Sequence, residues 1–160
     1  MKVCFDTDVL NDIVGATDDM LASFATVDVC FIRGFEVYVS AGDLQIIDYV
    51  APKKKNKPKE DTRKAMSFIM DDFKIIDVLA SDCKSAYASD IPDFKDAILE
   101  RGAARSNVDL IITRNKSGFE RSDIPVMTPK EFLEVYKPPD IKYSEVNGLP
   151  FIEYEGDVEG

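Results

Sequence analysis

The chain has 160 residues, 45% apolar and 31% charged, which suits one globular domain with a real core. No apolar run approaches the roughly 20 residues that cross a bilayer, and the opening MKVCFDTDVL lacks the long apolar stretch of a signal peptide, so a cytoplasmic protein is expected. A formal net charge of −10 argues against indiscriminate nucleic-acid binding, and the lack of histidine excludes Ser–His–Asp and Cys–His catalysis and argues against a structural zinc site.

Residues 2–5 (KVCF) form a short apolar run ending at Asp6, the pattern of a buried parallel strand. Residues 8–14 read as a short helix closed by Gly15. Thr17 caps a second helix, with Asp18 and Asp19 in its first turn, running to about Ile32 and stopping at Gly34. Residues 35–39 (FEVYV) are a second strand, and Ser40 caps a helix over 41–50. Pro52 to Lys59 read as a loop, followed by a helix over about 60–73 and a third strand at 74–78. Helices at about 80–89 and 93–105 are split by Pro92. A fourth strand at 109–113, a short fifth at 125–127 and a last helix over 129–136 complete the pattern.

Strands alternating with helices imply an α/β fold, a parallel sheet covered on both faces. Ligands of such sheets bind beyond the carboxyl ends of the strands, where Asp6, Ser40 and the Thr113–Asn115 turn fall. After Lys137 the pattern fades. Residues 138–160 read as a loosely held acidic tail outside a domain of residues 1–137, the alternative being an arm packed on the domain or on a partner. Residues 140–160 carry six acids against one base. The three cysteines, widely spaced and odd in number, are expected to be reduced and mostly buried.

Carboxylates gathered at strand ends favour a hard divalent cation, Mg²⁺ or Mn²⁺, and such sites commonly hydrolyse phosphodiesters. Asp6 is the first candidate; Asp8 and Asp12 read as cap and surface residues. Asp93 and Asp96, three apart at a helix start, share one face and can enter one cleft, although capping alone also accounts for them. Thr113 and Asn115 can orient a metal-bound carboxylate, and turn formation explains them equally well. Lys53, Lys54, Lys55, Lys57 and Lys59 fall within seven positions, either a solvated loop or a basic run that steers an RNA backbone.

Three segments, VCFDTDVLNDIV at 3–14, DFKDAI at 93–98 and DLIITRNKSGFERSDIPVMTPKEFL at 109–133, resemble the PIN-domain family, in particular the small prokaryotic branch related to VapC-type toxins. The resemblance implies a Rossmann-like three-layer sandwich with a parallel sheet of four or five strands. It implies an Mg²⁺- or Mn²⁺-dependent ribonuclease, often the toxin of a toxin–antitoxin pair and often a homodimer. By resemblance, Asp6 matches the first acid, Asp96 the acid before the alanine-rich helix with Asp93 as its companion, and Thr113 the bracing threonine. Two positions depart from the family. Ile46 stands where a glutamate is usual, with Asp43 one turn earlier on the same face and Asp48 pointing elsewhere. Asn115 replaces an aspartate, and Gly118–Phe119 stands where such members carry Asp–Phe. The expected metal ligands are therefore Asp6, Asp96, Asp93 and Asp43. Two other readings compete: a PIN-fold binding module with a depleted site, and a haloacid-dehalogenase-like phosphatase using the DTD of FDTDVL with Ser40 after the second strand.

Overall fold

A computed structural model describes residues 1–54 and 59–156, with every side chain among them except that of Lys54. Five strands form one sheet: β1 (Lys2–Phe5), β2 (Glu36–Ser40), β3 (Lys74–Ile76), β4 (Leu110–Ile112) and β5 (Val126–Met127). Their order is β3-β2-β1-β4-β5 and every pairing is parallel. The chain moves outward from β1 through β2 to β3, then returns to place β4 on the other side of β1. That reversal opens a crevice at the carboxyl ends of β1 and β4.

Period-two alternation assigns the strand side chains to two layers. Val3, Phe5, Val37, Val39, Leu110 and Ile112 face one way and pack on α1 (Thr7–Gly15), α2 (Met20–Ile32), α3 (Ala41–Lys54), α4 (Lys59–Asp72) and α7 (Pro129–Tyr136). Cys4, Tyr38 and Ile111 face the other way, against Leu99 and Ala103 of α6 (Phe94–Arg105). Helix α5 (Ala80–Tyr87) packs on α6 through Ala86 and Ala97. Gly102 lets α6 approach closely: a Cβ there would lie 3.2 Å from Cγ2 of Ile76 on β3. This is the expected three-layer α/β sandwich.

Several local expectations change. Helix α1 ends through Ala16 in the left-handed region at φ 48°, not through Gly15. Helix α2 starts at Met20, because the Thr17 hydroxyl donates to Asp12 Oδ1 at 2.7 Å instead of capping it. Helix α3 runs through Pro52 to Lys54, so Lys53 and Lys54 belong to a helix rather than to a loop. Lys55 and Lys57 lie outside the described residues. The cysteines are free, with Cys4 and Cys30 buried and Cys83 half-buried.

The largest difference is at the C-terminus. In place of a loose tail, β6 (Ile141–Val146) and β7 (Leu149–Tyr154) form an antiparallel hairpin. Asn147 and Gly148 make its two-residue turn with φ of 53° and 76°, the combination that fits strand twist. Ile141 is buried, Tyr143 packs against the main core, and the Tyr143 hydroxyl donates to Asp28 Oδ2 on α2 at 2.5 Å. The described part of the acidic arm is thus packed on the domain, with β6 against α2. Among the described residues no helix is long and apolar enough to cross a membrane.

Candidate active site

Asp6 occupies the last position before α1, and its backbone N–H completes the sheet by donating to the Ile112 carbonyl at 2.9 Å. The side chain caps α1, with Oδ1 accepting from Thr7 N–H at 2.7 Å, so the capping role and the site position coincide in one residue. The other oxygen, Oδ2, accepts from the Thr113 hydroxyl across the switch point at 2.8 Å, and both side chains are buried. Thr113 Oγ1 in turn accepts from Asn115 N–H at 3.0 Å. Two elements therefore fix the orientation of one carboxylate.

The second acidic element is the start of α6. Asp93 is its N-cap, accepting from Asp96 N–H at 3.0 Å, and its side chain is exposed. Asp96, one turn in, is buried. Asp6, Asp93, Asp96 and Asn115 line one cleft of about 330 Å³, together with Thr7, Asp8, Asn11, Ile46, Val50 and Lys95. The three aspartates expected to converge thus line the same cleft. Asp43 of α3 is buried behind them, near enough to feel the charges of Asp6, Asp96 and Lys95. Its Oδ2 has no hydrogen-bond partner among the described residues. Ile46, in the expected glutamate position, presents an apolar wall to the cleft, and Asp48 is exposed outside it.

Burial pushes the Asp43 carboxyl up to about 7, with Asp6 and Asp96 adding to the rise and Lys95 and Thr7 opposing it. Burial likewise raises Asp96, against the pull of Lys95. Asp8 is pushed up to about 6, by burial first and by Asp6 second.

The sequence reading missed three participants. Lys95 places its ammonium 2.9 Å from Asp6 Oδ1, 3.0 Å from Asp96 Oδ1 and 3.4 Å from Thr7 Oγ1. Asp8, read as a cap, lines the cleft and accepts from Arg114 N–H at 3.1 Å. Asp12, read as a surface residue, is fully buried. It accepts from the Thr17 hydroxyl at 2.7 Å, the Ser23 hydroxyl at 3.0 Å, and Arg114 Nε and Nη2 at 2.7 and 3.0 Å. This network clamps α1 to the turn after β4. The available signal for Lys95 was its place inside DFKDA, between two acids on the first helical turn.

Gly118 marks another edge of the site. It lies in a 3-10 turn over Lys116–Phe119, and a Cβ there would fall 2.9 Å from Asp96 Oδ2 and 2.8 Å from Asn115 Nδ2. The lysine run is placed only in part: Lys53 is exposed and sits 3.5 Å over the Tyr49 ring, and Lys59 is exposed at the start of α4.

The donor set suits a hard divalent cation: every candidate ligand is a side-chain oxygen, three of the carboxylates are buried, and Asp43 Oδ2, like Asp8 Oδ1 and Asn11 Oδ1 of the cleft lining, is a buried oxygen with no hydrogen-bond partner among the described residues. Among the described residues, no three acidic side chains are spaced to share one ion as they stand. Lys95 already occupies the space between Asp6 and Asp96.

The chain is thus a parallel α/β sandwich with buried acids gathered at the switch point of its sheet. The family model for PIN domains matches residues 2–117, and the chain belongs to that family. The sheet and its flanking helices match those of several solved structures. The VapBC2 complex from Rickettsia felis, bound to a promoter DNA fragment, contains a chain 16% identical, with a TM-score of 0.60 over 80% of this chain and 98% of that one. FitAB bound to the IR36 DNA fragment contains one 16% identical, with a TM-score of 0.59 over 79% and 94%. A toxin–antitoxin complex from Klebsiella pneumoniae contains one 23% identical, with a TM-score of 0.56 over 79% and 97%. No curated protein matches the sequence.

Proposed function

We propose that this PIN domain is a metal-dependent endoribonuclease that hydrolyses RNA phosphodiesters in the cytoplasm, as the toxin of a toxin–antitoxin pair. PIN domains are generally nucleases. The observation that carries the reading is the meeting of Asp6, Asp93 and Asp96 in one cleft, with Asp43 buried behind them. Of the similar structures named above, one is a toxin–antitoxin complex and two are complexes bound to DNA fragments, and these support an antitoxin protein as partner. A homodimer is the assembly we expect.

Asp6, Asp96 and Asp43 would hold Mg²⁺ or Mn²⁺, with Asp93 at the rim. When bound, such an ion supplies a water of lowered pKa and a counter-charge for the phosphate. Thr113 holds Asp6 Oδ2 in a fixed direction, so this carboxylate needs little reorganisation on binding. Asn115 lies at the mouth, where its amide can meet substrate. Lys53 and Lys59, with Lys54, Lys55 and Lys57 of the same run, steer the RNA backbone toward the cleft.

RNA cleavage with Mn²⁺, compared between the wild type and Asp6→Asn, tests this reading. Loss of at least 100-fold in rate is expected, on the scale of removing a principal electrostatic group. Equal cleavage by both proteins would overturn it. The apolar Ile46 wall and the glycine at 118 favour a second reading, a binding module that has lost its chemistry. Calorimetry separates the two: micromolar Mn²⁺ binding that Asp6→Asn abolishes argues against the binding module.

A further inference from the structure

We propose that Lys95 is a tethered counter-cation of the acidic cleft, holding the place among Asp6, Asp96 and Asp43 that a divalent ion takes, so that the ion binds only by displacing it. The inference rests on the proposed metal-dependent reading and adds to it a residue that sets metal affinity.

Geometry is the first argument. The Lys95 ammonium contacts one oxygen of Asp6 and one of Asp96, on two separate elements, and the Thr7 hydroxyl besides. These are oxygens that a hard cation would use. Among the described residues no other cationic side chain pairs with Asp6 or Asp96. Charge is the second argument. Asp6 and Asp96 are each at most 4% exposed, in front of the buried Asp43, and buried carboxylates left together repel. Lys95 supplies the opposing charge within hydrogen-bond distance of two of them. Reach is the third. Lys95 stands in the first turn of α6 and its side chain keeps 36% exposure, so its four-carbon stem has a route to solvent. An ammonium and a divalent cation cannot both sit within about 3 Å of the same oxygens, because their mutual repulsion in a partly buried site is large. Occupation by one therefore excludes the other.

Three measurements test this. In calorimetry, Lys95→Gln is expected to bind Mn²⁺ at least tenfold more tightly than the wild type, while Lys95→Arg, which keeps the charge, stays within about threefold. In EDTA, Lys95→Gln is expected to melt below the wild type and to recover on adding Mn²⁺. In the unmodified protein, acetylation of Lys95 followed by mass spectrometry is expected to rise several-fold when saturating Mg²⁺ is added. Equal Mn²⁺ affinity in the wild type and Lys95→Gln, or acetylation of Lys95 indifferent to Mg²⁺, overturns the inference and leaves the nuclease reading standing. Failure of both proteins to bind Mn²⁺, with Lys95→Gln folded by circular dichroism, overturns both. If Lys95→Gln does not fold, the acetylation of the wild type decides alone.

Discussion

At the scale of single residues, the site is a contest between burial and charge. Asp43 shows it most directly. Its carboxyl is raised from an ordinary 3.8 to about 7, chiefly by burial. The native metal-free protein keeps a proton there that the unfolded chain has released. Unfolding therefore sheds a proton between about pH 4 and pH 7, and stability falls as the pH rises through that window. The slope for one such proton is at most about 1.4 kcal/mol per pH unit, flattening above pH 7. Asp8, raised to about 6, acts in the same direction at lower pH. Asp43→Asn should flatten the fall between pH 5 and 7 in EDTA, measured by melting temperature, and raise stability at pH 8. Parallel pH profiles for variant and wild type would refute this account. The placement of Asp6, Asp93 and Asp96 on one cleft was legible because strand ends and helical spacing are one-dimensional patterns. Lys95 was not, because a lysine beside acids is common on surfaces and only its inward direction distinguishes it. Asp12 failed for the same reason: nothing in its neighbourhood announces that Thr17, Ser23 and Arg114 will surround it.

At the scale of elements, two connections hold the site in register. The Asp12–Arg114 pair ties α1 to the turn after β4, with Asp12 fully buried and Arg114 bidentate upon it. Asp12→Ala leaves Thr17, Ser23 and Arg114 without their acceptor, and a cost of about 3 kcal/mol in urea unfolding is expected, in line with breaking a buried pair from one side. A change below about 0.5 kcal/mol would mean that the guanidinium finds water at no penalty. The turn at Lys116–Phe119 is the second connection. Gly118→Ala places a methyl group against Asp96 Oδ2 and the Asn115 amide. Both are side-chain ends, so the expected result is displacement of the site more than loss of the fold. Mn²⁺ affinity should drop severalfold by calorimetry while the melting temperature moves by only a few degrees. Unaltered affinity would place Gly118 outside the functional geometry. The strand and helix order was readable from periodicity, whereas helix ends were not. Pro52 marked a stop that α3 passes through, because tertiary packing overrides a local preference.

At the scale of the whole molecule, the sheet and its two helical layers follow from alternating segments of the right length, and the family match over residues 2–117 agrees with that pattern. The C-terminal hairpin does not follow from apolar content, which is low there. Its signal was the Asn147–Gly148 pair between alternating side chains, a stronger cue than the fading hydrophobic pattern that concealed it. The hairpin is held by Ile141, by Tyr143 against the core, and by the phenol on Asp28. Tyr143→Phe should lower unfolding free energy by about 1.5–3 kcal/mol, the range for a hydrogen bond to a charged acceptor. Removal of residues 138–160 should cost more than that single change, because it also uncovers α2. A truncated protein as stable as the full chain would make the hairpin a passenger.

Lys95 also bears on how this molecule behaves outside its working conditions. A free counter-ion can be dialysed away, and its departure leaves like charges facing one another. A counter-ion carried on the backbone stays at the same local concentration however dilute or ion-poor the buffer becomes. The protein should therefore survive exhaustive treatment with chelator and long storage in plain water-based buffer with its cleft still assembled. Added Mn²⁺ should then bind with no refolding delay, once the ammonium gives way.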